Sequence, residues 1–359
     1  MKGSGRTTLG DCCEIVMGQA PEGSAYGPLG RGWPLIAGAG DFGEGVPAPK
    51  KSTSIAPKLS RPGDIILAIR ASIGEIVLSD GIYCLGRGVA ALRAAEGLDS
   101  AYLRHWLTHA RPLLESKARG ATFKQVDRTA IAELELELLP VAEQRRVAEI
   151  LDQADALRAK RRAALAQVDG LTQAIFLEMF GDPATNPRRL PSESLGTLIK
   201  VRSGEFLPAA SMAPNGTFAV LGGNGVNGYH DEFLFEEQQI VIGRVGVYCG
   251  CVHVSPQNSW ITDNALYVSE RSDRLEFVYL ASALTFARLN QYASQSGQPL
   301  VSGARIYPVE ILVPPLHLQR QFASRAVAVD KLKASHRASL AQIDALFASL
   351  QHRAFRGEL

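Results

Sequence analysis

The strongest constraint on the fold of this chain is a long helical pattern at residues 140–182. No proline interrupts this stretch after Pro140, and its apolar side chains recur at spacings of three and four residues, which is typical of a helix that packs along another helix. Those apolar residues are Val147, Ile150, Ala154, Leu157, Ala164, Val168, Leu171 and Ile175. A single helix over this stretch would be about 60 Å long and could not bury its apolar stripe without a partner.

A second copy of the pattern, at residues 315–357, supplies that partner. Each residue of the first copy corresponds without a gap to the residue 175 positions later, as Gln167 and Gln342 show. Arg161 and His336 interrupt the two stripes at equivalent positions. We therefore expect a duplicated unit whose two helices pack antiparallel as an intramolecular coiled coil. The apolar stripe of the second copy consists of Phe322, Val329, Leu332, Ile343, Leu346 and Leu350.

The composition permits two globular domains and gives no sign of a membrane segment. The chain has 359 residues, of which 46% are hydrophobic, but no apolar run of about 18 residues and no apolar N-terminal segment. The five cysteines form no disulfide-like framework, so we expect a cytoplasmic protein. The net charge of +2 supports nucleic-acid binding weakly, because proteins that bind nucleic acids are usually more basic.

The two helical copies divide the chain into four predicted segments. These are a first head at residues 1–139, a central helix at 140–182, a second head at 183–314 and a C-terminal helix at 315–359. The first head is rich in glycine and proline up to residue 63. Three prolines between residues 183 and 191 predict an entry loop into the second head.

Short apolar runs bounded by turn residues predict strands in both heads. In the first head they are 65–69, 76–78, 89–92 and 134–138; in the second they are 239–243 and 309–313. Helices are predicted at 99–117, with a kink at Pro112, and at 276–289. Since the order of elements recurs, the predicted fold class is α+β, with two mixed β-rich heads, two long antiparallel helices and an internal pseudo-two-fold repeat.

Two related heads on a rigid helical pair suit an extended ligand that has two sites at a fixed separation. Duplex DNA presents the same groove about every 34 Å, so two such heads can read two half-sites. The heads share an order of elements but differ in sequence, and the two half-sites should therefore differ as well.

Several stretches resemble the conserved regions of type I restriction-modification specificity subunits. They are PVAEQRRVAEILD and LTQAIFLEMFGDP in the first helical copy, ALFASLQHRAFRGEL in the second, RASIGE in the first head and GGNGVNGYHDEFLFEEQQIVIGRVGVYCG in the second head. The resemblance covers nearly the full chain. It implies two target recognition domains, each of which reads one half of a split sequence in double-stranded DNA.

The resemblance also implies partner subunits. Two methyltransferase subunits would dock on the long helices, and a translocating nuclease subunit would join them. S-adenosylmethionine, ATP and magnesium are then expected on the partners, and no cofactor on this chain. The second copy departs from the pattern at its start, where Leu318 replaces the glutamate found at Glu143. The residues assigned to docking are shared by both copies: Gln144, Arg145, Phe180, Gln319, Arg320 and Phe355.

Two glycine patterns, at 38–43 and 223–228, fit G-x-G-x-x-G, which in dinucleotide-binding proteins follows a strand and opens a helix. The residues after both patterns are not helical, so we interpret the glycines as loops of the fold. The alternation around Cys249, Cys251 and His253 predicts a strand with these side chains on one face. A fourth zinc ligand is not evident, and no metal site is expected.

No catalytic centre is evident in the sequence. Asp99, Glu115 and Lys117 resemble a nuclease set, but they fall on one predicted helix rather than converging from strands. The phosphate-binding pattern G-x-x-x-x-G-K-[ST] does not occur. We therefore expect a non-catalytic recognition subunit of a larger enzyme complex.

DNA contacts are expected from polar side chains on loops and strand ends, because Lys and Arg bind phosphates and Arg, Lys, Asn, Gln, Ser and Thr read base edges. In the first head the candidates are Lys50, Lys51, Ser52, Arg70, Ser72, Arg119, Thr122, Lys124 and Gln125. In the second head they are Arg202, Asn224, Asn227, Tyr229, Arg244, Gln295, Ser296, Gln298 and Ser302. For any single candidate, a solvated surface role is an equal alternative.

Arg70 and Arg244 each follow a predicted strand, at a shift of 174 positions. Their recurrence fits either base contact or a structural role, such as pairing with a carboxylate. The basic run at 158–162 likewise fits either a solvated helix face or contact with the DNA spacer or a partner.

Two other functions stay open. A scaffold whose β-rich heads bind proteins and no DNA would fit the low net charge, and salt-dependent binding to duplex DNA would exclude it. A dinucleotide-dependent enzyme would use the glycine patterns, and a missing nucleotide-induced thermal shift would exclude that.

Overall fold

The computed structural model describes residues 5–120, 124–213, 215–294 and 297–359 and divides the chain into two compact units. Unit 1 contains residues 1–162 and 338–359, and unit 2 contains residues 163–337. Each unit therefore holds one head together with half of each long helical stretch. The boundaries between the two units therefore fall within the helical stretches.

The first head consists of short strands and helices and is followed by a long helix. In chain order they are β1 (Gly5–Thr8), α1 (Leu9–Cys12), β2 (Cys13–Met17), β3 (Tyr26–Pro28), β4 (Trp33–Ile36), β5 (Lys51–Thr53), β6 (Ile65–Ala68), β7 (Ile76–Leu78), β8 (Cys84–Leu85), β9 (Val89–Ala94), α2 (Ser100–His109), α3 (Arg111–Ser116), α4 (Arg128–Ala132), β10 (Glu135–Leu138) and α5 (Val141–Asp169).

The remaining elements repeat this plan and end on a second long helix. They are α6 (Leu171–Phe180), β11 (Ser192–Ser194), α7 (Leu195–Leu198), β12 (Ile199–Ser203), β13 (Phe218–Gly222), β14 (Gly225–His230), β15 (Ile240–Gly243), β16 (Val252–Val254), β17 (Ser259–Ile261), β18 (Ala265–Arg271), α8 (Phe277–Phe286), α9 (Gly303–Ile306), β19 (Glu310–Leu312) and α10 (Leu316–Ala354).

The sheets of the two heads have matching strand orders. Unit 1 has a four-stranded sheet in the order β2-β9-β6-β7, and unit 2 has one in the order β12-β18-β15-β16. A second sheet, β3-β5-β4-β8 in unit 1 and β14-β13-β17 in unit 2, contains a parallel pair in each case, β4 with β8 and β13 with β17. Two-stranded pairs, β1 with β10 and β11 with β19, complete the plan. The α+β class is confirmed by this duplicated arrangement.

The strands β6 and β15 are buried on both faces, which explains their continuous apolar sequences. In β6, Ile65 and Leu67 join the main core of unit 1, while Ile66 joins a smaller cluster on the other face. In β15, Ile240 and Ile242 face the main core of unit 2, and Val241 faces a separate cluster. Each head therefore has two cores with a shared sheet between them.

Several predicted elements are confirmed and some are wrong. The strands β6, β7, β9, β10, β15 and β19 fall where apolar runs predicted them, and the helix predicted at 99–117 breaks at Ala110, before Pro112. The prediction of a loop at 223–228 is wrong from Gly225 onward, because Gly225–His230 forms β14. The helix predicted over 140–182 is also divided, because α5 ends at Asp169 and Gly170 separates it from α6. Glycine is a poor helix former, and the equivalent position in the unbroken α10 is Ala345.

The buried faces of α5 and α10 differ from the predicted apolar stripes. Leu157 and Leu171 of the first copy are 58% and 40% exposed, and Leu332 and Leu346 of the second are 43% and 57% exposed. The least exposed positions instead recur at alternating spacings of four and three residues, starting at Val147 in the first copy and at Phe322 in the second. The series runs through Val147, Leu151, Ala154, Arg158, Arg161, Leu165 and Val168 in α5, and through Phe322, Ala326, Val329, Lys333, His336, Leu340, Ile343, Phe347, Leu350 and Ala354 in α10.

Charged side chains caused this error. Two of the partly buried positions carry cations, Arg158 and Lys333. The predicted stripes contain the neighbouring leucines Leu157 and Leu332 instead, because leucine is the more hydrophobic residue. Long basic side chains can cover apolar surface along their stems, so a basic residue is compatible with a partly buried face. Among the described residues, no helix has the length and apolar character needed to cross a membrane.

Candidate nucleic-acid interface

A groove in the first head gathers several of the residues that the sequence predicted. It has a volume of about 860 Å³, and its polar lining consists of Arg70, Ser72, Arg87, Lys124 and Gln125. The rest of the lining comes from glycines and alanines at residues 37–40, 71 and 88. A flat, small-residue wall beside polar side chains leaves room for a ligand to approach the backbone closely.

The groove exists because a polar loop is hydrogen-bonded onto the loop between β6 and β7. The amides of Arg119 and Gln125 each donate to the carbonyl of the other at 2.9 Å, and Val126 N donates to Ile69 O at 3.0 Å. An isolated bridge also joins Arg70 to Gln125. These backbone bonds hold the side chains of Arg70 and Gln125 at one place.

The charge in this groove is positive. Arg70, Arg87 and Lys124 contribute cations, and the lining residues that the structure describes include no carboxylate. The Nε atom of Arg70 is buried and has no hydrogen-bond partner within the described part of the chain. A buried donor without a partner is costly, and guanidinium groups in general bind phosphates and guanine edges.

Sequence reasoning missed Arg87, which is exposed at the groove. It stands between two glycines in the turn that precedes β9. A Cβ on Gly88 would lie 2.2 Å from Ala37 O, so the chain segments come close here and glycine is required. The sequence feature that could have predicted Arg87 is its position between two glycines, Gly86 and Gly88.

The other candidates of the first head lie outside the groove lining. Lys50 and Lys51 are exposed, and so is Arg119. Ser52 is fully buried, and its hydroxyl accepts a hydrogen bond from Gly30 N at 3.3 Å, so its assignment to DNA contact was wrong. Thr122 lies outside the described residues.

The second head repeats the backbone pattern that builds the groove of the first. Val301 N donates to Arg244 O at 2.8 Å, and a bridge joins Val245 to Leu300. A polar loop is thus again attached to the loop between β15 and β16.

This repeated pattern corrects the predicted match between Arg70 and Arg244. Val126 bonds to Ile69 in the first head, whereas Val301 bonds to Arg244 in the second, so Arg244 corresponds to Ile69. Arg70 corresponds to Val245 by the same criterion, since these are the two bridged residues. The sequence match was shifted by one residue, which in extended chain exchanges the two faces.

The different positions give the two arginines different surroundings. The guanidinium of Arg244 donates from Nη1 to Ser203 Oγ at 3.0 Å and to Asp263 O at 3.3 Å. Arg244 therefore ties β12 and the segment before β18 to its loop, which is a structural role. Arg70, in contrast, lines the groove of the first head, and its buried Nε has no hydrogen-bond partner within the described part of the chain.

A hairpin carries three further candidates of the second head. Asn224 lies in the two-residue turn between β13 and β14, while Asn227 and Tyr229 lie on β14, and all three are exposed. The Nε2 atom of His253 lies 3.3 Å from Gly223 O, which fastens this turn to β16. The hairpin can therefore present amide and phenol groups from a supported backbone.

The remaining candidates of the second head are more scattered. Arg202 is exposed on β12, Gln298 is exposed on the polar loop, and Ser302 is half-buried. Gln295 and Ser296 lie outside the described residues.

Gln144 has an internal role that excludes the predicted docking contact. Its side chain is fully buried, and its Oε1 accepts from Asp99 N at 2.7 Å. Its Nε2 donates to Gly97 O at 2.9 Å and to Leu139 O at 2.7 Å. The amide thus fastens the start of α5 to the start of α2 and leaves no group for a partner.

Gln319 makes the same three bonds in unit 2. Its Oε1 accepts from Glu276 N at 2.8 Å, and its Nε2 donates to Arg274 O at 2.9 Å and to Pro314 O at 2.7 Å. It is fully buried as well. We call Gln144 and Gln319, with these bonds, the glutamine clamps, and their docking assignment was wrong.

The other predicted docking residues divide into buried and exposed groups. Phe180 is fully buried in the core of unit 2, so it too cannot meet a partner. Phe355 is half-buried and packs edge-on against Tyr102, with ring centroids 5.4 Å apart. Arg145 and Arg320 are exposed and can still take part in docking.

The structure also corrects the interpretation of the cysteine and histidine pattern. Strand β16 begins at Val252, so Cys249 lies buried in the preceding loop, while Cys251 is exposed. Within the ranges that the structure describes, no three His, Cys, Asp or Glu side chains lie together in a way that could hold a metal ion.

The comparison with protein families decides the relationship. Residues 2–167 and 192–345 both match the model of the type I restriction modification DNA specificity domain. The chain belongs to this family. The two matched segments correspond to the duplicated heads and the helices that follow them.

Two curated members of the specificity family are similar over part of the chain. The putative type I restriction enzyme MjaX specificity subunit of Methanocaldococcus jannaschii is 29% identical over 164 residues, which are 45% of this chain and 39% of that protein. The type I restriction enzyme EcoprrI specificity subunit of Escherichia coli is 29% identical over 136 residues, which are 37% of this chain and 34% of that protein. The matched regions thus span less than half of either relative.

Solved structures of specificity subunits have the same fold. A crystal structure of the S subunit of a type I restriction-modification system from M. genitalium superposes with a TM-score of 0.67 at 16% identity, over 98% of this chain and 96% of that one. A chain from work on complex assembly and conformational transition of the type I R-M system gives a TM-score of 0.63 at 20% identity, over 100% and 99% of the two chains.

Proposed function

We propose that this protein is the sequence-reading subunit of a type I restriction-modification complex, with each head reading one half of a split duplex DNA target. The observation that carries the proposal is the polar loop attached to a strand hairpin by the same backbone bonds in both heads. In the first head this arrangement creates a groove with three cations. Cations suit phosphates, and the nearby Ser72 and Gln125 suit base edges.

The proposal includes an antiparallel coiled coil formed by the two long helical stretches. Equivalent ion pairs in the two units support it. In unit 1, Arg158 Nε lies 2.6 Å from Asp344 Oδ1, and in unit 2 the equivalent Lys333 Nζ lies 3.8 Å from Asp169 Oδ1. Both pairs join the first helical stretch to the second, and a strictly repeated pair of this kind is what a duplicated antiparallel packing produces.

We further propose that two methyltransferase subunits dock on the long helices through exposed leucines. Leu157 and Leu346 flank the contact of Arg158 with Asp344 in unit 1, and Leu171 and Leu332 lie at the equivalent positions in unit 2. Exposed leucines can contribute apolar surface to a protein-binding site, and their recurrence in both units fits two equivalent docking sites. In this proposal S-adenosylmethionine, ATP and magnesium act on the partner subunits, the methyltransferases flip and methylate a base in each half-site, and this chain carries no catalysis.

The first experiment selects duplexes from a random library with this chain co-purified with its methyltransferase subunit. A consensus with two specified blocks around an unspecified spacer is expected. Binding should weaken as salt rises, because phosphate contacts release counterions. Failure to retain any duplex at low salt would favour the protein-binding scaffold instead.

Variants of the groove test the assignment of one head to one half-site. Arg70→Gln with Lys124→Gln should relax or abolish the first block of the consensus and leave the second block intact. Lys58→Gln is a matched control, because Lys58 is exposed in the same head and absent from the groove lining. An unchanged first block in the double variant would exclude this groove as the reading surface.

The docking proposal has a stoichiometric test. Leu157→Glu with Leu346→Glu should reduce the bound methyltransferase from two copies to one, as measured by light scattering of the purified complex. Gln153→Glu with Ala345→Glu controls for added charge at other exposed positions of the same helices. Two retained copies in the leucine variant would place docking elsewhere.

A further inference from the structure

An apolar side chain stands at the tip of the loop between β15 and β16. Val247 is 92% exposed, and the next residue, Tyr248, is 53% exposed. No other large apolar side chain among the described residues is as exposed as Val247. Leaving an isopropyl group in water is unfavourable, so a ligand that covers it would gain the free energy of burial.

The loop that presents Val247 is firmly held. Cys249 N donates to Gly246 O at 3.0 Å, and Gly250 N donates to Gly243 O at 2.7 Å. Gly246 N also donates to Pro299 O at 2.9 Å, which connects the loop to the polar loop beside it. A side chain on a fixed backbone loses little conformational freedom on binding, which favours recognition.

The position of Val247 corresponds to a groove residue of the first head. Arg70 and Val245 are equivalent by their bridges, and two residues further along each loop stand Ser72 and Val247. Ser72 lines the groove of the first head. One head therefore offers a hydroxyl group and the other an isopropyl group at the same place in the fold.

We propose that Val247 is a base-reading residue of the second head and that it contacts the 5-methyl group of a thymine in the major groove. This inference rests on the proposed function. The loop 244–251 contains Arg244 and no acidic residue, so its charge suits DNA. Apolar contact with the thymine methyl group distinguishes a T·A pair, whereas side chains that wedge between base pairs are usually longer than valine.

The inference differs from the proposed contacts of the polar candidates because it assigns specificity to an apolar group. Thymine and uracil offer the same hydrogen-bonding edge and differ by the methyl group alone. Replacing thymine with deoxyuridine therefore removes the feature that Val247 would read and leaves the polar contacts intact.

The test is a double-substitution cycle on the complex of this chain with its methyltransferase subunit. The split consensus is first selected, and each thymine of its second block is then replaced with deoxyuridine. At one position the replacement should weaken binding by the wild-type complex about fourfold, the effect expected for one buried methyl group. The Val247→Ser complex should bind the thymine-containing duplex more weakly than the wild-type complex does. Replacing that thymine with deoxyuridine should not weaken its binding further.

Val254→Ser is the matched control. Val254 is exposed, at 44%, at the opposite end of the same β15–β16 hairpin, so this variant should keep the wild-type sensitivity to deoxyuridine. Equal effects of deoxyuridine on the wild-type and Val247→Ser complexes would overturn the inference, and so would a second block without thymine. Loss of selection for both blocks in the wild-type complex would instead reject the proposed function, so the two failures are distinguishable.

Discussion

The two units share a backbone plan, but inside each unit different side chains connect the head to the long helices. Both have a glutamine clamp, and both have a buried tyrosine whose hydroxyl donates to a strand carbonyl, Tyr102 to Glu137 O at 3.1 Å and Tyr279 to Leu312 O at 2.8 Å. The polar framework is thus the same in both units. The packing around it is not.

Unit 2 uses an aromatic cluster. The ring of Phe176 lies 4.2 Å from that of Phe286, 5.1 Å from Phe180, 5.5 Å from Phe322 and 5.7 Å from Tyr279, measured between centroids. Phe176 is 1% exposed, so these contacts are made away from water. Burial of this kind depends little on pH or salt.

Unit 1 keeps an aromatic pair of this kind, Tyr102 with Phe355, and has polar and charged groups around it. Gln351 stands at the position of Phe176, and its Nε2 is buried without a hydrogen-bond partner in the described part of the chain. Arg158 lies 4.2 Å over the ring of Phe347 and pairs with Asp344, and the buried His105 pairs with Asp152 at 2.8 Å. The two units thus share backbone bonds and an apolar core, while unit 1 has more charged contacts where the head meets the helices.

The largest contrast is expected at the equivalent positions 176 and 351. Phe176→Ala should destabilise unit 2 by about 3–5 kcal/mol, because it removes a buried ring and leaves a cavity. Gln351→Ala should change unit 1 by less than about 1 kcal/mol, since it removes an unpartnered polar group. Native-state hydrogen exchange of β15 and β6 reports the two units separately, and similar effects of both variants would refute the contrast.

The glutamine clamps should behave alike. Gln144→Ala and Gln319→Ala each leave two carbonyls and one amide without their partner, and we expect each unit to lose about 2–3 kcal/mol. The same exchange experiment measures both, and Gln153→Ala, at an exposed position of α5, serves as a control. Clearly unequal losses would show that the shared framework contributes differently in the two units.

The clamps also show what a single sequence could not reveal. The sequence shows Gln144 and Gln319 as a repeated pair, and the resemblance to specificity subunits predicts docking on the helices that carry them. A duplicated fold repeats its internal supports as well as its surfaces. The sequence does not show that Gln144 is buried, because only the tertiary structure brings the carbonyls of Gly97 and Leu139 to its side-chain amide.

Local apolar runs predicted strands well, whereas register needed the structure. Strands such as β6 and β15 are continuous apolar runs, and their burial on both faces follows from that composition. Glycine-rich β14 was missed because glycine has low strand propensity. The equivalence of Arg70 with Arg244 failed because sequence identity aligned two arginines, while the backbone ladder aligns Arg70 with Val245.

The candidate site followed the same division. The sequence predicted polar candidates at 70, 72, 124 and 125 on separate loops and strand ends, and only the structure joins them in one groove. Ser52 has the same chemistry but is buried on β5, which composition does not indicate. Val247 is not predicted from the sequence, because its apolar side chain differs from the hydrogen-bonding groups that usually read base edges.

Acid should weaken unit 1 more than unit 2. Burial lowers the pKa of His105 below its usual 6.5, although its hydrogen bond to the Asp152 carboxylate opposes this shift. The nearby cation Arg104 also lowers the pKa, while Asp155 raises it. The unfolded chain then binds a proton more readily than the folded one, so stability is present above pH 6.5 and falls as pH drops below it.

The pKa of His109 is lowered too, by burial and by His352, so unit 1 has two groups with this behaviour. Each can contribute a slope of at most about 1.4 kcal/mol per pH unit. Hydrogen exchange of β6 between pH 7.5 and 5.5 should show the loss, and His105→Gln should reduce its slope. A steeper slope for β15 of unit 2 would contradict the prediction.

The smallest effect is expected from the repeated ion pairs, and it should be larger in unit 1. Arg158 has an 18% exposed side chain, which Phe347 helps to hold, and its Nε lies 2.6 Å from Asp344, whereas Lys333 and Asp169 are 3.8 Å apart in unit 2. Asp344→Asn should therefore destabilise unit 1 more than Asp169→Asn destabilises unit 2.

The hydrogen bond from Arg158 lowers the pKa of Asp344 below its usual 3.8, with Arg162 adding to the effect. The contribution of Asp344 is then present above pH 3.8 and disappears as pH falls through the lowered pKa of the folded state, because the unfolded chain keeps its proton to a higher pH. Thermal unfolding of both variants at pH 7 in low and high salt measures the difference, and salt should reduce it since exposed charges are screened. Equal shifts in the melting temperatures of the two variants would mean that the ion pair of Arg158 with Asp344 gives unit 1 no additional stability.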